Sequence, residues 1–248
     1  MIRKIQCAEV WGGNKNVDLE TLTASLSTSV YSSSCDGGKG GDFYYCSVCG
    51  GDQLSRIILG DVVGHGDIVS PISEWVYQEM VKFSNSLEDH SILLQLNEKI
   101  IERGLDAMST AAVVSHYRRD GKFRFAYAGH YPVFVRRSGE ATWWQAEMPK
   151  RERMENLPLG VRLETHYHQC DLDLCKGDVF FLYTDGIIEA RKPDGCFWGV
   201  EGLLETLNQV PENDPVQIKN HVLRQLIDLC HGVVKHDDVT MIAAQIVE

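Results

Sequence analysis

Apolar runs of strand length recur along the whole chain, each bounded by Gly, Asp or Pro. Enrichment in β-branched and aromatic residues predicts strands over residues 27–32, 42–49, 54–61, 110–117, 123–128, 133–137, 142–145, 164–174, 179–183 and 239–247. Short polar connections join many of them, such as Arg118-Arg119-Asp120-Gly121. That is the spacing of hairpins rather than of parallel crossovers. Apolar positions recur at helical spacing over 68–83, through Ile72, Trp75, Val76 and Phe83, and over 91–103, through Leu93, Leu96 and Ile100. Val222, Leu226 and Leu229 give a third stripe with Pro215 at its entry, and a shorter helix is expected over 200–207. Helices between strands of antiparallel sheets cover outer faces and leave the two sheets to pack on one another. The predicted fold is therefore α+β, a four-layer α-β-β-α sandwich of two antiparallel sheets flanked by helices.

At 248 residues, with 44% hydrophobic and 24% charged, the chain has the composition of a folded domain. No linker, repeat or low-complexity stretch divides it, so one domain over 1–248 is expected. The formal charge of -11, from 24 Lys+Arg against 35 Asp+Glu, argues against nucleic acid and anionic membranes as partners. Lys150, Arg151 and Arg153 come closest to a basic patch, but Glu147, Glu152 and Glu155 interleave with them. No apolar run approaches the roughly 20 residues of a membrane span, and the N-terminus lacks a signal-peptide core, which leads to the expectation of a cytoplasmic protein. Eight cysteines are then expected as reduced thiols, with Cys46 and Cys49 lying in a strand rather than in a zinc knuckle.

Against this background the aspartates stand out. Asp42 opens a strand after Gly40-Gly41, Asp61 closes Ile57-Ile58-Leu59-Gly60, Asp185 follows Val179-Phe180-Phe181-Leu182-Tyr183-Thr184, and Asp237 precedes Val239-Thr240-Met241-Ile242. Singly, each is a common turn or cap residue. Together, at strand ends far apart in sequence, they can converge on one edge of a sandwich. An all-carboxylate set suits hard cations such as Mg²⁺ or Mn²⁺ rather than zinc.

The motifs Gly40-Gly41-Asp42-Phe43-Tyr44, Gly60-Asp61-Val62-Val63-Gly64-His65-Gly66, Ser109-Thr110-Ala111, Ala128-Gly129-His130-Tyr131-Pro132, Leu157-Pro158-Leu159-Gly160, Tyr183-Thr184-Asp185-Gly186-Ile187-Ile188-Glu189-Ala190 and Asp237-Asp238-Val239-Thr240 occur in this order. From about Gly37 onward the chain resembles the SpoIIE-like and RsbU-like bacterial branch of the metal-dependent (PPM, type 2C) protein phosphatases. The resemblance implies two Mn²⁺ or Mg²⁺ ions. Asp61 would bridge them, Asp42 and the Val62 carbonyl would help hold one, and Asp185 with Asp237 the other, leaving open whether Asp237 or its neighbour Asp238 is the ligand. A water activated between the ions would hydrolyse phosphoserine or phosphothreonine without a protein nucleophile.

His65 is the candidate general acid for the leaving oxygen, or else a brace for its turn. His130 reads as a structural or outer-layer residue. The arginine that eukaryotic relatives use to grip phosphate has no counterpart before Asp42, where Lys39 is the nearest substitute. Tyr45 and Val63 also depart from the bacterial pattern, which often has an acidic residue and Ser there. By the same resemblance the substrate is expected to be a STAS-domain anti-anti-sigma protein in a partner-switching circuit. About forty residues precede the first motif, too few for a separate sensor domain. The 1–36 segment is thus expected to hold no separate sensor domain, and activity to be constitutive or controlled by a partner that binds this segment.

Diguanylate cyclases and histidine-aspartate phosphohydrolases fit poorly, since Phe43 replaces the expected acid and helical His-Asp pairs are lacking. The alternative of a different class is a catalytically silent module that sequesters a regulatory partner. Retention of every motif aspartate favours the enzyme.

Overall fold

The computed structural model describes residues 2–103, 108–149 and 154–248. Its strands are β1 (Ile2–Lys4), β2 (Val10–Lys15), β3 (Val17–Leu22), β4 (Leu26–Ser33), β5 (Lys39–Cys49), β6 (Leu54–Val62), β7 (Ser109–Tyr117), β8 (Lys122–Ala128), β9 (Phe134–Arg136), β10 (Trp144–Gln145), β11 (Gln169–Asp173), β12 (Val179–Tyr183) and β13 (Val239–Ile246). The helices are α1 (Ser70–Lys82), α2 (Asp89–Arg103), α3 (Asp185–Ile188), α4 (Gly199–Leu207) and α5 (Pro215–Leu229). One sheet runs β1-β3-β4-β13-β12-β9-β10 and the other β11-β8-β7-β6-β5-β2. Pairing is antiparallel throughout both sheets except for β1 on β3.

The layers follow from residue alternation. On β6, Ile57 and Leu59 face the space between the sheets, where they meet Phe123, Phe180, Leu182 and Ile242, while Ile58 faces the helices. On β12, Phe180 and Leu182 point inward and Val179, Phe181 and Tyr183 point outward. α1 and α2 cover the β6 sheet through Val76, Met80, Ile92, Leu96 and Ile100. α4 and α5 cover the β12 sheet through Leu203, Leu207, Ile218, Val222 and Leu226. Strands buried on both faces read as continuous apolar runs, which is why they were legible. The α-β-β-α sandwich expected from the sequence is the one observed. α5 starts where it does because Pro215 occupies its first turn and the Asp214 side chain accepts from the Gln217 N–H at 2.9 Å.

One expectation is extended and one corrected. Besides the strand expected over 27–32, the N-terminal segment adds others: β3 pairs with β4 in one sheet and β2 with β5 in the other. A partner binding this segment would have to engage strands already in use. The strand expected over 164–174 shortens to Gln169–Asp173, because Asn156 ties the preceding stretch into a loop, accepting from His168 N–H and donating its own N–H to the His166 carbonyl. Lys150, Arg151, Glu152 and Arg153 lie outside the described residues.

Candidate active site

Asp42 and Asp61 sit directly opposite one another in the β5–β6 ladder. The other sheet brings three more aspartates to the same edge. Thr184 follows β12, Asp185 opens α3, and Asp237 and Asp238 lead into β13. Thr184 joins the two sheets: its hydroxyl donates to Asp42 Oδ2 at 2.8 Å, and in turn accepts from the Thr240 N–H at 2.9 Å. Gly186 lets α3 press onto the β13 entry, since a Cβ there would stand 2.1 Å from the Asp238 carbonyl oxygen.

The two adjacent aspartates do different work. Asp238 is buried, and its carboxylate accepts three backbone N–H groups, from Cys35 at 2.9 Å, Gly41 at 2.6 Å and Gly66 at 3.0 Å. Burial pushes its carboxyl up, but these amides outweigh it and hold it below the ordinary range. Among the described residues Asp237 accepts only the Asp238 N–H, through Oδ1. Burial, with Asp185 and Asp238 nearby, raises it to about 6. Asp238 thus pins together the loops carrying Cys35, Gly41 and Gly66, while Asp237 keeps oxygen capacity free.

Charge crowding is the chief electrostatic fact. Burial raises Asp61 well above the usual carboxylate range, and Asp42, Asp185, Asp237 and Asp238 add to the rise. Asp42 is also raised by burial, with Asp238 and Asp185 contributing and the Thr240 and Thr184 hydrogen bonds opposing. Asp185 is raised by burial as well. Among the described residues no Lys or Arg forms an ion pair with any of the five. Buried and half-buried carboxylates so crowded call for a cation. Their all-oxygen chemistry fits a hard divalent ion, although among the described residues no three His, Cys, Asp or Glu are drawn close enough to hold one as they stand. The Val62 carbonyl faces the same loop: a Cβ on Gly41 would lie 3.0 Å from it, so glycine keeps that oxygen open.

The remaining candidates are placed as follows. His65 is exposed, makes no side-chain cap to the turn it precedes, and lies with Nδ1 3.4 Å from Cys35 Sγ. Its charge is felt by Asp237. The Lys39 ammonium pairs with Glu74 on α1, both side chains being partly exposed. His236, which the sequence offered only as half of a rejected His-Asp pair with Asp237, donates from Nε2 to the Gly186 carbonyl at 2.6 Å and favours the charged form of Asp185. Thr184 and Thr240 were also missed as site residues, although both stood inside the motifs.

His130 is buried on the same sheet edge as β8 ends, with Nδ1 2.9 Å from the Tyr131 carbonyl and Nε2 without a partner. Burial lowers its pKa to about 4, the Tyr131 carbonyl opposing. The unfolded chain therefore takes up a proton below about pH 6.5 that the folded chain refuses. Stability from this group is intact above pH 6.5 and falls as pH drops toward 4, by about 2 kcal/mol at pH 5. Thermal melts from pH 7 to 5 should fall less steeply for His130→Gln than for the parent chain; parallel slopes would remove His130 from the account.

Comparison with known proteins places this geometry. The family model described as Stage II sporulation protein E (SpoIIE) matches residues 51–247. The chain is 26% identical over 210 residues to phosphoserine phosphatase RsbU of Bacillus subtilis, covering 82% of this chain and 58% of that protein. It is 24% identical over 174 residues to stage II sporulation protein E of the same organism, covering 62% of this chain and 20% of that one. Among solved structures, the RsbU and RsbW domains of Rv1364c from Mycobacterium tuberculosis superpose with a TM-score of 0.77 at 20% identity, over 94% of this chain and 63% of that one. The SiaA-PP2C domain of Pseudomonas aeruginosa gives 0.75 at 18% identity, over 88% and 85%. RsbX in complex with magnesium gives 0.65 at 18% identity, over 93% and 100%.

Proposed function

The chain belongs to the Stage II sporulation protein E (SpoIIE) family, and on that premise we propose that it is a metal-dependent protein serine/threonine phosphatase, folded as a single domain over 1–248. The observation that carries the reading is the direct pairing of buried Asp42 with half-buried Asp61, with Asp185 and Asp237 brought to the same edge from the other sheet. Two Mn²⁺ or Mg²⁺ ions, when bound, would supply the charge that makes a water nucleophilic and neutralises the phosphoryl oxygens. In this reading Asp61, Asp42, Asp185 and Asp237, with the Val62 carbonyl, would hold the ions, Asp61 being the carboxylate expected to serve both. Asp237 is preferred to Asp238 as the ligand in this reading, since the Asp238 carboxylate already accepts three backbone N–H groups.

The chain's own groups then have distinct tasks. The Thr184 hydroxyl restrains the rotation of Asp42 by donating to Oδ2. His65 donates a proton to the seryl oxygen as the P–O bond breaks and the water oxygen bonds to phosphorus, giving serine and inorganic phosphate. Lys39 contributes to phosphate binding only by giving up Glu74. The substrate class proposed from the relatives is a phosphorylated STAS-domain anti-anti-sigma protein; one structural neighbour carries an RsbU domain and an RsbW domain in a single chain. No nucleic acid or membrane is involved in this reading, and among the described residues no helix is long and apolar enough to cross a bilayer.

Hydrolysis of p-nitrophenyl phosphate and of a phosphoserine peptide should depend on added Mn²⁺ or Mg²⁺. The same ions should raise the melting temperature, since they bind the folded state and offset the carboxylate repulsion. Saturation at about 100 times Kd is worth about 2.7 kcal/mol, or roughly 5–10 °C for a chain this size. No turnover with either ion, together with an unchanged melt, would overturn the reading.

A further inference from the structure

Beside the acidic edge lies a cavity of about 380 Å³ of the opposite character. One wall is the tight hairpin that follows α3. There Lys192 N–H donates to the Cys196 carbonyl and Gly195 N–H to the Lys192 carbonyl, both at 2.8 Å. Arg191 is locked into it, donating from Nη1 to the Gly195 carbonyl at 2.9 Å, with its guanidinium 4.8 Å from the centre of the Phe197 ring. The other wall is the α5–β13 connection carrying His231, Val233, Lys235 and His236. His236 lines the cavity and holds the Gly186 carbonyl, so this wall runs without a break into Asp185 and Asp237.

In a chain of charge -11 this concentration of cations is an exception. Arg191 and Lys235 are exposed and Lys192 half-buried, and no carboxylate among the described residues forms an ion pair with any of them. Asp194, the one acid of the hairpin turn, spends Oδ1 on the Cys196 N–H at 2.9 Å. Lys39, by contrast, is neutralised by Glu74. Val233 and Phe197, both more than half exposed, give the rim an apolar border. Fixed positive charge with an apolar rim, next to a centre that repels anions until cations fill it, is an orienting device for an acidic chain.

We propose that this cavity receives Asp or Glu side chains flanking the phosphoserine, so that the protein selects substrates with an acidic segment beside the scissile phosphate. The inference rests on the phosphatase reading for its position in catalysis, but the binding it requires does not. Extended chain advances about 3.3 Å per residue, so carboxylates a few positions from the phosphoserine reach from the centre into the cavity. The electrostatic part is screened over about 8 Å at physiological salt.

The test compares phosphoserine peptides carrying Glu or Gln at the flanking positions, with the parent protein, with Lys192→Glu/Lys235→Glu, and with Arg119→Glu/Lys176→Glu. The last pair changes net charge equally but at surfaces outside the cavity. The parent should favour the Glu peptide about tenfold in kcat/KM, mostly through KM. That ratio should collapse toward one in the cavity variant, survive in the control, and shrink at 0.5 M salt. Fluorescence anisotropy of the labelled peptides supplies a second arm: the cavity variant should bind the Glu peptide about tenfold more weakly, with circular dichroism unchanged. No preference in the parent, or an equal ratio in parent and cavity variant, overturns the proposal. If no substrate is turned over at all, the phosphatase reading fails, and the anisotropy arm alone decides the cavity.

Discussion

Asp61→Asn should lower metal-dependent hydrolysis by at least about 10³-fold while raising the melting temperature of the metal-free protein. The activity loss follows from removing the carboxylate proposed to serve both ions, whose charge carries most of the transition-state stabilisation. The gain in stability follows from the same geometry. Asp61 faces Asp42 across the ladder, and burial with four neighbouring carboxylates raises its pKa. A raised carboxyl destabilises the fold above its folded pKa, and the penalty is relieved as pH falls through it. Asn is uncharged at every pH and lifts the penalty at pH 7. The melt of the variant should also lose much of its response to Mn²⁺. A metal-free variant that melts lower than the parent would show that the carboxylates are held by something other than a cation.

The second large effect lies outside the site. Arg56 and Asp89 form an ion pair at 3.0 Å in which both side chains are fully buried. Arg56 also donates to the Ser84 and Ser86 carbonyls at 3.0 and 2.8 Å, and Ser115 donates to the other Asp89 oxygen at 2.6 Å. The cluster ties the α1–α2 turn to the middle of β6 and β7. Burial raises the Asp89 carboxyl even though Arg56 pulls it down. The pair is therefore costly to desolvate and costlier to break. Arg56→Met should destabilise the protein by about 3–5 kcal/mol by leaving the buried Asp89 carboxyl without its countercharge, a fall of roughly 6–20 °C in Tm. Arg56→Met/Asp89→Leu should recover a large part of it. Urea titration of the single and double variants separates these; a single variant within 1 kcal/mol of the parent would deny the pair its role.

Neither Arg56 nor Asp89 was legible as a structural pair, for a physical reason. An arginine in a strand reads as an outward-facing polar position, and only the turn at 84–89 folding over it turns that position into an interior. The central strands were legible because sheets covered on both faces make unbroken apolar runs. β2 was hidden by Gly12-Gly13, whereas β3 carried a usable signal in the alternation Val17-Asp-Leu-Glu-Thr, short enough to pass as a loop. At the site, residue type and strand-end position marked Asp42, Asp61 and Asp185 without any coordinates. The division of labour between Asp237 and Asp238 could not be read, because it depends on amides contributed by Cys35, Gly41 and Gly66, up to 203 positions away.

The strand order has a temporal meaning as well. β13 lies between β4 and β12, so its partners are separated from it by most of the chain on one side. Contacts of such long sequence separation form late and slowly. A ribosome that has released everything up to α5 holds a sheet with a gap at its middle and an acidic edge lacking Asp237 and Asp238. In the proposed phosphatase reading, a chain lacking β13 lacks Asp237 and the Asp238 clamp, so a product truncated before β13 should show no metal-dependent hydrolysis.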